Sequence, residues 1–365
     1  MKKKILATVL TAAMAVSMLA GCSSESASKA SEAAATTAEA TTAAEETKAE
    51  ETTAAEAKDT GDLKTVSIQI DGSAVPYYAP LYLAQENGYF AEEGLNVEFY
   101  YAAAADIVKN VAAGNVEFGF PNADAVVAAK AQGIPVKVVH TTYQEGLGAI
   151  IFGSDSGIST PADLKGKKVA VTSLGSANYF QLQAAMESAG LTIDDVQVEI
   201  VGTGAILTAL TEGQDDAIVL SKLRTIELNN SGYAASEITC DQFLPSFGNV
   251  LVAGDKLVAE DPETVDGFCR ALNKAIEYII DGHVEEAVDM SIEKYAPTFA
   301  EKRDVVVQIL NDVFVKTLWQ SDYTKENGIG ASNPEKWQAL IDESKEIGNI
   351  DETFDASGLL YTPAK

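Results

Sequence analysis

The chain has 365 residues, a formal net charge of −28, and 47% hydrophobic but 7% aromatic residues. So acidic a surface excludes nucleic acid and an anionic membrane face as partners. The length exceeds what one simple core accommodates and suits two lobes.

At the start, Lys2, Lys3 and Lys4 precede an apolar run from Ile5 to Ala20 that ends in Leu19-Ala20-Gly21-Cys22. A charged start, a short apolar middle and small closing residues predict a secretory signal peptide over 1–22, and the run is short for a membrane span. The tetrapeptide resembles the lipobox of bacterial lipoproteins, which implies lipidation at Cys22 and an extracytoplasmic chain anchored to the cell membrane. From 23 to 63 the sequence is dominated by Ala, Thr, Ser, Glu and Lys, has no aromatic residue, and predicts a disordered tether. About 40 such residues span roughly 35 Å root-mean-square as a coil.

The remainder contains a weak internal repeat. In its first copy, Lys64 to Ile70 alternates as a strand, a loop follows over Ser73 to Tyr78, and Tyr78 to Phe90 reads as a helix. A strand from Gly94 to Tyr100, a helix from Asp106 to Ala113 and a strand from Gly114 to Phe120 complete it. The second copy runs as strand 168–172, loop 173–177, helix 178–189, strand 196–201, helix 205–212 and a segment from Gly213 to Leu220. Two β-α-β-α-β runs predict an α/β protein with two lobes, each on a mostly parallel sheet. Between the copies lie helix 123–132, strands 136–142 and 148–153, and Thr160-Pro161, which read as a cap and first helical residue. After them, Phe247 to Ala253 reads as a strand returning to lobe one, and Asp261-Pro262 opens a helix to Ile280. The rest is predicted helical to about Ile347. Lobe one is expected over 64–150 plus 248–365 and lobe two over 151–247. Two crossings, near 145–155 and 245–250, are expected to act as a hinge.

Open α/β lobes bind ligands beyond the carboxyl ends of their strands. That rule selects Ser73, Tyr77, Tyr78, Asn122, Asp124, Tyr143 and Gln144 in lobe one. It selects Ser173, Ser176, Asn178, Tyr179 and Ser221 in lobe two, with Asn249 at the return crossing. Tyrosines offer flat walls for stacking on a ring, while Asn and Gln donate and accept along heterocycle edges. Ser173, Ser176 and Asn178 surround a helix start whose free N–H groups suit an anion. Asn122, Asp124 and Ser176 read equally as plain helix caps. Lys222 and Arg224 are the nearest cations to the expected cleft. His140 reads as structural, Trp319 and Trp337 as packing residues, and Cys240 and Cys269 as either a disulfide or two buried thiols.

The stretches Ala79-Pro-Leu-Tyr-Leu-Ala-Gln-Glu-Asn-Gly-Tyr-Phe-Ala-Glu-Glu-Gly-Leu-Asn-Val97 and Ser159-Thr-Pro-Ala-Asp-Leu-Lys-Gly-Lys-Lys-Val169 are similar to the periplasmic binding proteins of the nitrate, sulfonate and taurine type, which include thiamine-pyrimidine binders. Gly175-Ser-Ala-Asn-Tyr179 and Asn333-Pro-Glu-Lys-Trp-Gln-Ala-Leu340 extend the match. The resemblance implies a two-lobed clamshell that captures a small molecule and delivers it to an ABC permease and its ATPase. The chain is expected to be a monomer with no cofactor, and without any metal-ligand spacing no metal is expected. In sulfonate and taurine binders a His follows the segment matching Gly175-Ser176, whereas this chain has Asn178. Together with the scarcity of cations, that shifts the expected ligand toward a pyrimidine-like or other ring compound, with sulfonate, taurine or nitrate next. The rival classes are a surface sensor lipoprotein and an enzyme, because fungal thiamine-pyrimidine synthases share this fold. Those enzymes use clustered His and Cys residues, while His140 and His283 are the only histidines here, so the expectation is a binding protein.

Overall fold

The computed structural model describes residues 63–364. The expected signal peptide, Cys22 and all of the tether except Leu63 lie outside the described residues. The chain forms two five-stranded sheets. Sheet one holds β1 (Lys64–Asp71), β2 (Leu95–Ala102), β3 (Phe118–Phe120), β4 (Val136–His140) and, much later in the chain, β10 (Leu251–Gly254), in the order β2-β1-β3-β10-β4. Sheet two holds β5 (Gly148–Gly153), β6 (Lys168–Val171), β7 (Gln197–Ile200), β8 (Ala217–Ser221) and β9 (Ala235–Thr239), in the order β7-β6-β8-β5-β9. The two-lobed α/β architecture is therefore as expected, with one strand reversed in each sheet. β10 runs antiparallel to β3 and β4, and β5 runs antiparallel to β8 and β9.

The reversed strands have a common cause. Each follows a crossing between the sheets, so it enters its sheet from the end where the parallel strands finish and must run the other way. Their apolar faces still match the sheet period. Ile150 and Phe152 pack under the helix Ala177–Ser188, while Ala149 and Ile151 pack under Ile206–Thr211 and Leu223–Asn230. β5 begins at Gly148, inside the span expected for lobe one.

Several elements differ from expectation for local reasons. The strand expected from Gly114 starts at Phe118, because Gly114 adopts φ +73° as the left-handed cap of helix Ala104–Ala113. The helix expected over 78–90 divides into a short turn at Pro76–Tyr78 and the helices Ala79–Glu86 and Tyr89–Glu92. β9 and the helix Leu223–Asn230 carried no sufficient signal, since three of the five β9 residues are polar. After β10, Pro262–Ile280 forms as expected and inserts Phe268, Leu272, Ile276 and Ile279 into the core of sheet one. Trp319 and Trp337 are fully buried, and Cys240 and Cys269 are buried free thiols. Residues 359–361 add a short bridge beside Val138.

The crossing segments are tied to each other. Tyr143 N donates to Asn249 O (3.0 Å), and Gly146 N (2.9 Å) and Ser246 N (3.0 Å) both donate to Asp241 Oδ1. Lys336, on the helix Pro334–Glu346, completes the clasp by reaching Asp241 Oδ2 at 3.0 Å and Gln144 O at 3.0 Å. Asp241→Asn keeps an acceptor for both amides and loses only the charge, so a loss of about 1 kcal/mol in urea unfolding is expected. A change below measurement error would mean that the lysine contributes nothing to the clasp.

Candidate functional site

Two recesses, each about 220 Å³, open where the parallel strands of the two sheets end. The first is aromatic and is lined by Tyr77, Tyr78, Tyr143, Ser221 and Asn249, together with Phe314 from the C-terminal helices. The second is lined by Asn122 and Asp124 from lobe one and by Gly175, Ala177 and Phe180 from lobe two. An isolated bridge joins Asn122 to Asn249, so the two recesses meet at that pair.

The tyrosines are placed by the turn after β1 and by the first crossing. Tyr77 stacks on Phe314 with ring centroids 5.6 Å apart and planes 12° apart. Tyr78 donates its hydroxyl to Asp71 O at 2.7 Å and meets Phe120 edge-on at 5.9 Å. Tyr143 is almost wholly buried, edge-on to Phe120 and Phe314, with its hydroxyl on Tyr77 O at 3.2 Å. Burial raises all three phenols above the ordinary tyrosine value, and they stay neutral donors. Pro76 holds the turn that aims Tyr77 and Tyr78, and Asn249 is locked by Nδ2 donating to Phe120 O at 2.9 Å.

The electrostatics are dominated by carboxylates. Burial alone pushes the half-buried Asp124 carboxyl up to about 6. Asp71 at the end of β1 is also raised by burial, against a hydrogen bond from Asn122. Arg224 lines the aromatic recess, but its Nη1 donates to both Glu227 oxygens at 2.8 and 2.6 Å. Lys222 is buried and paired with Glu145 at 3.1 Å. Both cations nearest the cleft therefore already hold a carboxylate.

Not every expected residue reaches the recesses. Gln144 is buried, yet its Nε2 donates to Thr141 O (2.5 Å) and Ala331 O (3.2 Å), and its Oε1 accepts from Ser321 (3.1 Å). Its amide fastens Ser321 and Ala331 to the segment that follows β4 and lines neither recess. Ser176 caps its helix by accepting from Tyr179 N at 3.3 Å and donates to Ser173 O at 2.7 Å. Tyr179 turns onto the core of sheet two. Ser73, Ser173 and Asn178 also stand outside both linings. The helix they surround does reach the cleft, but through Gly175, Ala177 and Phe180. Glu227, Phe299, Phe314 and Leu147 are contributors that the strand-end rule missed. Only Glu227 left a local trace, three residues after Arg224 on one helix face.

His140 is buried, with Nδ1 on Thr142 Oγ1 and Nε2 on Asn273 Oδ1, both at 2.8 Å. His283 stacks on Tyr278 in the C-terminal part of the chain. Neither lines a recess. Among the described residues no group of three or more His, Cys, Asp or Glu could hold a metal, and no helix is long and apolar enough to cross a membrane.

Comparison with known proteins agrees with this picture. The chain is 26% identical over 291 residues to "Riboflavin-binding protein RibY" of Chloroflexus aurantiacus, covering 78% of this chain and 79% of that protein. It is 26% identical to the "Formylaminopyrimidine-binding protein" of Halalkalibacterium halodurans, with 78% and 86% covered. It is also 32% identical to the "4-amino-5-hydroxymethyl-2-methylpyrimidine phosphate synthase" of Aspergillus parasiticus, with 60% and 68% covered. The periplasmic aliphatic sulphonate binding protein SsuA of Escherichia coli shares the fold, with a TM-score of 0.66, 16% identity, and 82% and 93% of the two chains covered. The "NMT1/THI5 like" family model matches residues 75–286, a span that holds both crossings and most of the cleft. The chain belongs to the NMT1/THI5-like family.

Proposed function

We propose that this chain is the extracytoplasmic solute-binding protein of an ABC importer and that it closes its two lobes on a small ring compound before docking on a membrane permease. One observation carries the ligand class: three neutral tyrosines wall the recess between the lobes, and the arginine beside them is already bound by Glu227. A flat heterocycle gains stacking area there. An anion would meet Asp124 in the polar recess, and the one cation lining the aromatic recess, Arg224, is already held by Glu227. The pyrimidine and riboflavin named for the two bacterial relatives are ring compounds of this kind.

A ligand touching both lobes binds the closed form best, and moving a lobe equilibrium from 1:99 to 99:1 takes about 5.5 kcal/mol of differential binding. A stacked ring and a few hydrogen bonds of about 1 kcal/mol each can supply it. The contact residues in this reading are Tyr77, Tyr78, Tyr143, Asn122, Asp124, Ser221 and Asn249. The signal peptide 1–22, lipid at Cys22 and tether 23–63 would hold a monomeric domain near the permease and its ATPase. The lobes would divide much as expected, but with the first boundary moved back before β5: 64–147 plus 248–365 against 148–247, with the Asp241 clasp between them. A binding role is preferred to the synthase activity named for the fungal relative because both histidines stand outside the recesses and are held by partners of their own.

A thermal-shift screen with riboflavin, aminopyrimidines, taurine, alkanesulfonates and nitrate tests this reading. Ring compounds should stabilise the protein, and Tyr77→Ala should weaken them about tenfold through the lost ring burial. Stabilisation by sulfonates or nitrate alone would sink it.

A further inference from the structure

We infer that Glu227 sets the charge selectivity of the aromatic recess. By holding Arg224 it leaves a wall of N–H donors without net charge, which admits an uncharged ring and turns away the same ring bearing an anionic group. This rests on the ring-binding reading above and adds the residue that decides between neutral and anionic forms of such a ligand.

Among the described residues Arg224 is the only cation lining either recess, and Glu227 stands on the same lining three residues later. Left alone, a partly exposed guanidinium among tyrosines would be a receptor for carboxylates and sulfonates. The pair prevents this. Arg224 Nη1 donates to Glu227 Oε1 at 2.8 Å and to Oε2 at 2.6 Å, while Nε and Nη2 make no hydrogen bond among the described residues. The guanidinium thus keeps donors for a ring nitrogen or carbonyl, while its charge is cancelled within hydrogen-bond distance. Tyr77 registers both partners. Beyond the effect of burial, Glu227 raises its phenol and Arg224 lowers it, so the hydroxyl of this stacking wall lies within electrostatic reach of the pair.

The fold has little use for this carboxylate. An ion pair one turn apart adds little to a helix, and the Glu227 side chain is only 17% exposed, so it is drawn out of water to make the contact. The helix Leu223–Asn230, between β8 and β9, holds it there. Leu223 is buried in the core of sheet one, Ile226 packs against that core, and Asn230 Nδ2 donates to Gln308 Oε1 at 3.0 Å. These anchors share one helix stripe with Glu227, so the carboxylate is fixed against the recess rather than free to swing into solvent.

The probes are two pairs that differ by a carboxylate on the ring: riboflavin against 8-carboxyriboflavin, and 4-amino-5-hydroxymethyl-2-methylpyrimidine against 4-amino-2-methylpyrimidine-5-carboxylate. Wild type should bind the neutral member of the better pair at least about tenfold more tightly. Glu227→Gln keeps the shape and frees Arg224, so this preference should fall about tenfold, with the carboxylate form gaining further as salt is lowered. Arg224→Gln leaves Glu227 uncompensated and should raise the preference by about the same factor. Opposite signs from the two halves of one pair separate charge selection from a packing role, which would weaken both members alike in both variants. If wild type binds neither neutral compound, the ring-binding reading fails and this inference falls with it. If wild type binds one but prefers it by less than about twofold, or if Glu227→Gln leaves the ratio unchanged, the inference alone is wrong. The wild-type ratio needs no variant, and Glu227→Ala should shift the preference in the same direction if Glu227→Gln folds poorly.

Discussion

Gly330→Ala will destabilise the fold by about 2–4 kcal/mol, with the loss concentrated at one contact. Gly330 has φ +77°, and a β-carbon there would stand 2.0 Å from His140 Nε2 and 2.1 Å from Cδ2. The left-handed backbone alone disfavours alanine by about 1 kcal/mol. Overpacking adds about 1–3 kcal/mol, since the imidazole has nowhere to go. It is buried and held by Thr142 on one nitrogen and Asn273 on the other. Nor can the glycine retreat, because Gly330 O accepts from Thr141 N at 2.8 Å and the next carbonyl, Ala331 O, accepts from Gln144. Urea unfolding of Gly330→Ala, His140→Ala and the double variant checks this. The double variant should be far less damaged than the two single losses added together, because removing the ring makes room for the methyl. Additive losses would mean that the clash is not the cause.

The same contact shows how the sequence could and could not be read. Alternation and turn residues located most strands of sheets one and two, because a half-buried sheet imposes a period on its own residues. Tyr77, Tyr78 and Asn122 were legible for the same reason: each follows a strand end, and strand ends face the cleft. Gln144 met that rule too, yet its amide is taken by the nearby Thr141 O and, from far along the chain, by Ala331 O and Ser321. No local pattern reports a partner at that separation. Phe299 and Phe314 entered the aromatic recess by the same unreadable route, from helices whose apolar residues look like any core.

Asp124→Asn will stabilise the unliganded protein near neutral pH by about 1–3 kcal/mol, and the gain will disappear as pH falls toward 4. The folded Asp124 carboxyl stands at about 6 because burial disfavours its charge, whereas in the unfolded chain it titrates at the ordinary aspartate value of 3.8. Between those values the folded state holds a proton that the unfolded state lacks, so wild-type stability rises as pH falls through that window. An amide mimics the protonated acid and removes this dependence. His140 works in the opposite direction. Burial lowers it from 6.5 to about 4, so the unfolded chain takes up a proton first and stability falls over that window as pH falls. In wild type the two slopes oppose each other, and Asp124→Asn leaves the His140 slope exposed. Urea midpoints from pH 7.5 to 4 read both effects, and a constant difference between the two proteins would refute the Asp124 assignment. In the binding reading proposed above, Asp124 is a ligand contact and its unfavourable charge would favour binding. A ligand that brings an N–H donor or a protonated amine to Asp124 relieves the desolvation of the carboxylate, so its affinity includes energy stored in the open cleft. Binding of such a ligand should therefore lower the Asp124 pKa and release protons near pH 6, whereas an anionic ligand would raise it and take protons up. Calorimetry in two buffers of different ionisation enthalpy separates these signs, and with them the two ligand classes.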